Sequence, residues 1–217
     1  MKNSKISAVC FDMWGTLTEG GGQKQWDDLQ EILGATHVDK KTFLKMGEES
    51  LLMHPWPLKD GIKNLAKKLK IKISENVVEK AYKNWWGYVQ NSKPYPEVID
   101  VLDKLEQYKI RKFIISNTDV EAFQFKIKTL GWEKYFEKFF LSAEIGVLKP
   151  HVKIFKTVQK YLSIPQRQTI MIDDSLYHGV LPARQFGWQA LWVARGKKEK
   201  DEGRLENLSG IIEKLRK

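Results

Sequence analysis

Apolar residues run almost unbroken from Ile6 to Phe11 and stop at Asp12. A short continuous run of this kind predicts a strand buried on both faces. Gly15 and the cluster Gly20-Gly21-Gly22 follow, and the periodicity then changes. From about 23 to 91 the apolar positions recur at helical spacing, with no strand pattern among them. Helices are predicted over 24–34, 40–53 and 58–70, the third with Ile62, Leu65, Ala66 and Leu69 on one face. Ser74 is a suitable N-cap for a fourth, because its short side chain can accept from a free amide of the first turn. That helix carries a wide stripe of Val77, Val78, Ala81, Tyr82, Trp85, Trp86 and Val89, and Pro94 and Pro96 punctuate its end.

Beyond Pro96 the pattern alternates. Val98, Val101, Leu102 and Leu105 predict a helix, and residues 112–116 a strand. A helix over 119–130 and a short strand over 138–142 follow. Pro150 is placed in the first turn of a further helix containing Ile154, Phe155, Val158, Tyr161 and Leu162. Residues 169–172 read as a strand, 176–187 as a helix and 190–194 as a strand, and a charged helix closes the chain. Strands alternating with helices predict an α/β fold around a parallel sheet covered on both faces. The expected organisation is one α/β domain, residues 1–17 and 93–217, interrupted by an all-helical insert over 18–92. Stretches 19–22 and 92–96 are the expected hinges.

Composition narrows the function classes. The 217 residues are 42% hydrophobic and 29% charged, which is ordinary globular composition and excludes disorder as the whole answer. A single cysteine, Cys10, excludes an internal disulfide scaffold or a Cys-cluster zinc site and fits a reducing, cytoplasmic setting. No apolar run approaches the ~20 residues of a membrane span. The opening Met1-Lys2-Asn3-Ser4-Lys5 leads into too short an apolar stretch for a signal peptide. The net charge of +10 raises nucleic acid as a partner. Only six of the basic residues are Arg, the usual bidentate reader of bases. The strongest basic run, residues 59–72, lies on an amphipathic helix and reads as a solvated face. The excess charge is spread over the α/β helices and suits attraction of a small anionic substrate, so nucleic acid is disfavoured. A monomer or homodimer is expected.

In open parallel sheets, ligands bind beyond the carboxyl ends of the strands. The predicted strands deliver Asp12, then Ser116 and Asn117, then Asp173 and Asp174 to one rim. Any one of these could be a helix cap. Together, with the turn residues Gly15 and Thr16, they read as a site. Carboxylates from separate strands repel one another unless a hard divalent ion compensates, and Mg²⁺ prefers such oxygen ligands shared with a phosphate. Lys149, between a strand and Pro150, offers a fixed positive charge.

At this point the chain resembles the haloacid dehalogenase (HAD) superfamily. Phe11-Asp12-Met13-Trp14-Gly15-Thr16-Leu17 is similar to its first motif, and Ile114-Ile115-Ser116-Asn117 to its second. Gly146 to Phe155, with Lys149-Pro150, is similar to the third, and Ile172-Asp173-Asp174-Ser175 to the fourth. The resemblance spans the whole α/β part in order. It implies a Rossmann-like core with a helical cap and a phosphatase acting on small phosphate esters. Asp12 would be the nucleophile, forming an aspartyl-phosphate. Asp12, Asp174, the Trp14 carbonyl and Asp173 would serve magnesium. Ser116, the amide of Asn117, Thr16 and Lys149 would hold the phosphate.

Two positions depart from the pattern. Such phosphatases carry a second Asp, the general acid/base, where this chain has Trp14, and an indole N–H is not a usable acid. Gly179 stands where the fourth motif often has another acidic residue. His37 and His54 are candidate replacement acids. An aromatic at position 14 is also similar to the 2-haloacid dehalogenases, which need no metal. Those enzymes hold their substrate with an Arg soon after the first motif, and this chain has none before Arg111. A catalytically degenerate binding protein and phosphonate cleavage through a cap lysine are further alternatives. Of the insert's tryptophans, Trp26, Trp56, Trp85 and Trp86, the spacing of Trp85 and Trp86 suits the insert's own core more than a substrate wall.

Overall fold

The computed structural model describes residues 5–215, so the first four residues of the opening segment lie outside it. In chain order, β1 spans Ala8–Phe11, followed by helices α1 Gly22–Ile32, α2 Lys40–Leu51, α3 Leu58–Lys68 and α4 Glu75–Asn91. Then come α5 Val98–Gln107, β2 Arg111–Ser116, α6 Val120–Thr129, β3 Lys138–Leu141, α7 Ser142–Ile145 and α8 Val152–Leu162. The chain closes with β4 Thr169–Asp173, α9 Leu181–Gln185, β5 Gln189–Val193, β6 Arg204–Leu205 and α10 Gly210–Leu215. No helix of the described residues is long and apolar enough to cross a membrane.

The six strands form one parallel sheet in the order β3-β2-β1-β4-β5-β6. Strand β1 is central because its residues are apolar on both faces. Val9 and Phe11 join Ile114, Ile170 and Ile172 on one side, under α5, α6 and α10. Ala8 and Cys10 join Phe113, Ile115 and Met171 on the other, under α8 and α9. The period-2 alternation of each strand therefore feeds two separate cores.

Helices α1–α4 build a third core from Leu29, Phe43, Leu51, Ile62, Leu65, Val78, Ala81 and Trp85, with Ala122 of α6 joining it. Asp39 and Ser74 cap α2 and α4 by accepting from Thr42 N and Val77 N. The two chain segments that lead into and out of this helical unit run side by side. Glu19 N donates to Lys93 O at 2.8 Å and Tyr95 N to Leu17 O at 3.1 Å. Buried Lys126 of α6 donates to Gln90 O and Ser92 O at the end of α4.

Three predicted elements differ. Pro150 precedes α8 rather than starting it, because His151 is the cap and its Nδ1 accepts from Lys153 N. The predicted helix over 176–187 is split into a wide π-type turn, Leu176–Val180, and α9. The wide turn arises because Val180 N reaches back to Ser175 O while Gly179 packs on Asp173. Ser142 opens α7 instead of ending β3. The pair β6 is too short to show a period.

Ser142 fixes one contact between the helical unit and the sheet. Its buried Oγ donates to Leu52 O at 2.6 Å and accepts from Thr118 N at 2.9 Å. Ser142→Ala is expected to lower unfolding stability by about 1–3 kcal/mol, since buried groups lose their partner. Urea unfolding of the variant checks this, and a midpoint equal to wild type would contradict it.

Candidate active site

The rim at the carboxyl ends of β1, β2 and β4 faces the helical unit across a cavity of about 550 Å³. Asp12, Trp14, Asn117, Lys149, Asp173 and Asp174 all line it. Lys149, almost wholly buried, donates from Nζ to Asp12 Oδ1 at 2.8 Å and to Asp173 Oδ2 at 2.6 Å. The second Asp173 oxygen, Oδ1, accepts from Ser175 N at 2.8 Å. One carboxylate oxygen from each of Asp12, Asp173 and Asp174 lies within 4.8 Å of the others.

The surroundings hold this arrangement. Asn117 clamps the Lys149 backbone from both sides, its Nδ2 donating to Lys149 O at 3.0 Å and its Oδ1 accepting from Lys149 N at 2.7 Å. Thr16 Oγ1 accepts from Asp174 N at 2.9 Å and so fixes the start of the turn after β4. Gly15, at φ +88°, lies against Asp174, and a Cβ there would fall 2.7 Å from the carboxylate carbon. A Cβ on Gly179 would fall 1.9 Å from Asp173 Oδ2, so no acidic side chain fits at that position.

Charge is unbalanced in the cluster, with three carboxylates around the one buried ammonium and only Lys197, 3.9 Å from Asp174 Oδ2, beside them. Burial pushes the Asp12 carboxyl up to about 7; Lys149 opposes this, and Asp173 and Asp174 add to it. Burial and then Asp173 push Asp174 up to about 6. Burial by itself would lower the Lys149 value, but Asp12 and Asp173 together outweigh it and hold the ammonium above its ordinary range.

The remaining expected residues are distributed differently. Ser116 is fully buried, its Oγ has no hydrogen-bond partner, and neither Ser116 nor Thr16 contributes to the cavity wall. The Trp14 indole donates to Thr118 Oγ1 at 3.0 Å, which turns its ring into a wall. His37 and His54 are exposed and line no part of the cavity; the His54 ring packs on Trp56 with centroids 4.1 Å apart. Trp86 packs on Tyr82 and Phe125. Trp85 both fills the helical core and faces the cavity.

Several wall residues escape the sequence reading. Thr118 and Asp119 directly follow Asn117, and Asp119 caps α6 by accepting from Ala122 N at 2.8 Å. Arg195 and Lys197 follow β5 at the same rim, so extending the strand-end rule by one strand finds them. Arg195 lies over the Tyr95 ring, 3.5 Å from its centroid, and pairs with Glu97 at 2.7 Å. Lys197 Nζ donates to Asp174 O at 2.8 Å. Glu48 and Tyr88, on α2 and α4, carry no such sequence signal.

Comparisons with known proteins agree with this geometry. The family described as haloacid dehalogenase-like hydrolase matches residues 6–187. An (S)-2-haloacid dehalogenase from Pseudomonas sp. (strain CBS-3) is 22% identical over 89% of this chain and 86% of its own length. A glyceraldehyde 3-phosphate phosphatase from Pyrococcus abyssi is 32% identical, but over 47% of this chain and 43% of its own. The crystal structure of a HAD phosphatase from Thermococcus onnurineus superposes with a TM-score of 0.65 at 21% identity, covering 97% of this chain and 98% of that one, which shows the shared fold. Phosphatases and dehalogenases are thus both among the relatives. With the parallel sheet, the Asp12–Lys149–Asp173 arrangement and a family match over most of its length, the chain belongs to the haloacid dehalogenase-like hydrolases.

Proposed function

We propose that the protein is a Mg²⁺-dependent phosphatase acting on small phosphate esters, with residues 18–92 as a cap over the site. The surplus of carboxylates around Lys149 carries this reading. Three acidic groups against the buried Lys149 and the more exposed Lys197, 3.9 Å from Asp174 Oδ2, still leave negative charge that a divalent cation would balance. Asp173 has both oxygens engaged, by Lys149 and by Ser175 N, so Asp12 and Asp174 have free oxygen capacity for the ion. The Trp14 carbonyl would complete the protein ligands. The ion would neutralise phosphate charge as the bond to the leaving group breaks.

The chain's own residues supply the rest. Asp12 attacks phosphorus with the carboxylate oxygen not held by Lys149, displacing the ester's alcohol oxygen, and water then hydrolyses the aspartyl-phosphate to phosphate and free Asp12. Lys149 stays charged, orients Asp12 and offsets charge on the phosphate oxygens. Asp173 keeps the ammonium in place, and Asn117 fixes its backbone. The Ser116 hydroxyl, buried without a partner, is available to a phosphate oxygen only if it turns outward. Closure of the cap would exclude water. Trp14 cannot protonate a leaving oxygen, so esters with weakly basic leaving groups, such as aryl or acyl phosphates, suit the site.

A second reading, 2-haloacid dehalogenase, is favoured by the long match to the Pseudomonas enzyme and by an aromatic ring at Trp14. Against it, the cavity cations beyond Lys149 are engaged: Arg195 by Glu97, Lys197 by the Asp174 carbonyl. Among the described residues that leaves no uncommitted lysine or arginine on the cavity wall for a substrate carboxylate.

Phosphate release from p-nitrophenyl phosphate is expected to require Mg²⁺ and to be abolished by Asp12→Asn. Chloride release from 2-chloropropionate without metal would establish the second reading instead. Aryl phosphates should turn over about 10² to 10⁴ faster than simple alkyl phosphates, the usual contribution of a general acid. Equal rates would show that another group donates the proton.

The raised Asp12 value gives a stability test in metal-free buffer. The unfolded carboxyl ionises near its ordinary 3.8 and the folded one near 7, so the proton is held more tightly in the fold. Its stabilisation is complete below about pH 4 and is lost as pH rises to about 7. Asp12→Asn removes this loss. The variant is therefore expected to match wild type near pH 4 and exceed it at pH 8 in urea unfolding. Added Mg²⁺ should favour wild type.

A further inference from the structure

One charged side chain in the cavity wall has no use in the reaction just described. Glu48 lies on α2 and lines the same cavity as Asp12. Every other ionisable Asp, His, Lys or Arg side chain of that wall is engaged. Asp12 and Asp173 hold Lys149, and Asp174 has Lys197 3.9 Å from its Oδ2. Asp119 caps α6, Arg195 pairs with Glu97, and His178 Nδ1 is 3.0 Å from Ser175 Oγ. Among the described residues, the Glu48 carboxylate has neither a hydrogen bond nor an ion pair. Its neighbour Glu49, by contrast, pairs with Lys68 of α3 at 3.1 Å.

The surroundings of Glu48 are aromatic. Gly47 lets the Trp26 ring lie directly on α2, where a Cβ would come within 2.6 Å of the ring. Trp26 meets Trp85 edge to face with centroids 4.9 Å apart, and both rings line the cavity. Leu52, one helical turn after Glu48 and on the same face, also lines it, with its carbonyl tied to Ser142. Glu48 thus lines, from the helical side, the same cavity as Asp12. A carboxylate half-removed from water without a partner is costly, and indole faces attract organic cations.

We propose that Glu48, with the indole rings of Trp26 and Trp85, forms a subsite for an organic ammonium group carried on the alcohol of the phosphate ester. The substrate class is then zwitterionic, with its phosphoryl end at Asp12 and Lys149 and its cationic end at Glu48. The cavity volume suits a molecule of that size. Burial, with Glu49 beside it, holds the Glu48 carboxyl above its usual range when the subsite is empty, and a bound cation would reverse that shift. An ammonium close to the ester oxygen also makes the alcohol a weaker base. It therefore leaves more readily from a site where Trp14 donates no proton. The substrate assignment rests on the phosphatase reading, while the cation subsite itself does not.

Choline and its uncharged isostere 3,3-dimethylbutan-1-ol separate charge from shape. Titrated into the wild-type protein and followed by calorimetry and tryptophan fluorescence, choline is expected to bind about tenfold or more tightly than the alcohol, the effect of a half-buried carboxylate on an ammonium beside it. In Glu48→Gln that preference should fall towards one. Equal affinities in wild type, or a preference that survives in Glu48→Gln, would overturn the subsite. A second arm compares kcat/KM for phosphocholine and 3,3-dimethylbutyl phosphate. Their ratio should drop about tenfold in Glu48→Gln, and an unchanged ratio counts against the proposal whatever the absolute rates. Choline binding as expected, with no phosphate released from any ester, would support the cation subsite and refute the phosphatase reading.

Discussion

The buried ammonium of Lys149 is the interaction on which the site depends. It comes from the loop after α7, yet it lies between carboxylates delivered by β1 and β4. Two buried like charges that close would otherwise force one another to take up protons. The ammonium permits both to approach, and Asn117, at the end of β2, holds the Lys149 backbone so that the side chain stays aimed. Three strands and a loop are thereby tied to one point. Gly179 and Gly15 complete the arrangement by leaving room for carboxylates that any side chain would displace.

This constraint also explains a departure from the family pattern. Where an acidic residue is common in the fourth motif, the backbone of Gly179 presses on Asp173, and the chain passes by a wide turn. At the first motif, the ring of Trp14 is pinned to Thr118. Both departures remove a carboxylate from the rim. The charges that remain are committed to one another, and Glu48 stands apart from them on the helical wall.

Much of this was legible in the chain. The run Ile6 to Phe11, the change of period after the Gly cluster and the alternation after Pro96 predict the sheet and its helical insertion, because burial on one or two faces leaves a periodic trace. The rule of reading strand ends finds Asp12, Asn117, Asp173 and Asp174. It does not distinguish residues that face the cavity from those that brace it. Thr16 and Ser116 follow or end strands like the others, but their side chains turn inward, a matter of rotamer and not of spacing. The far wall is harder still. Glu48 and Trp26 sit on amphipathic helices where a position facing a cavity and one facing a neighbouring helix share the same period. His54 shows the converse: a residue chemically suited to the missing role, held on the surface against Trp56.

The placement of β1 carries a consequence for how the protein comes into being. The strand at the centre of the sheet is the first to be synthesised, yet Ala8 pairs with Arg111 on one side and Thr169 on the other. Both partners lie far along the chain, and the intervening loop must close before either ladder rewards it. The helical unit has its own core and mostly local contacts, so it can organise while β1 still waits. An apolar strand with two unpaired edges is then open to the wrong neighbour until β2 and β4 have been made. Asp12, Lys149 and the Asp173–Asp174 pair cannot come together at one rim until β4 has been made.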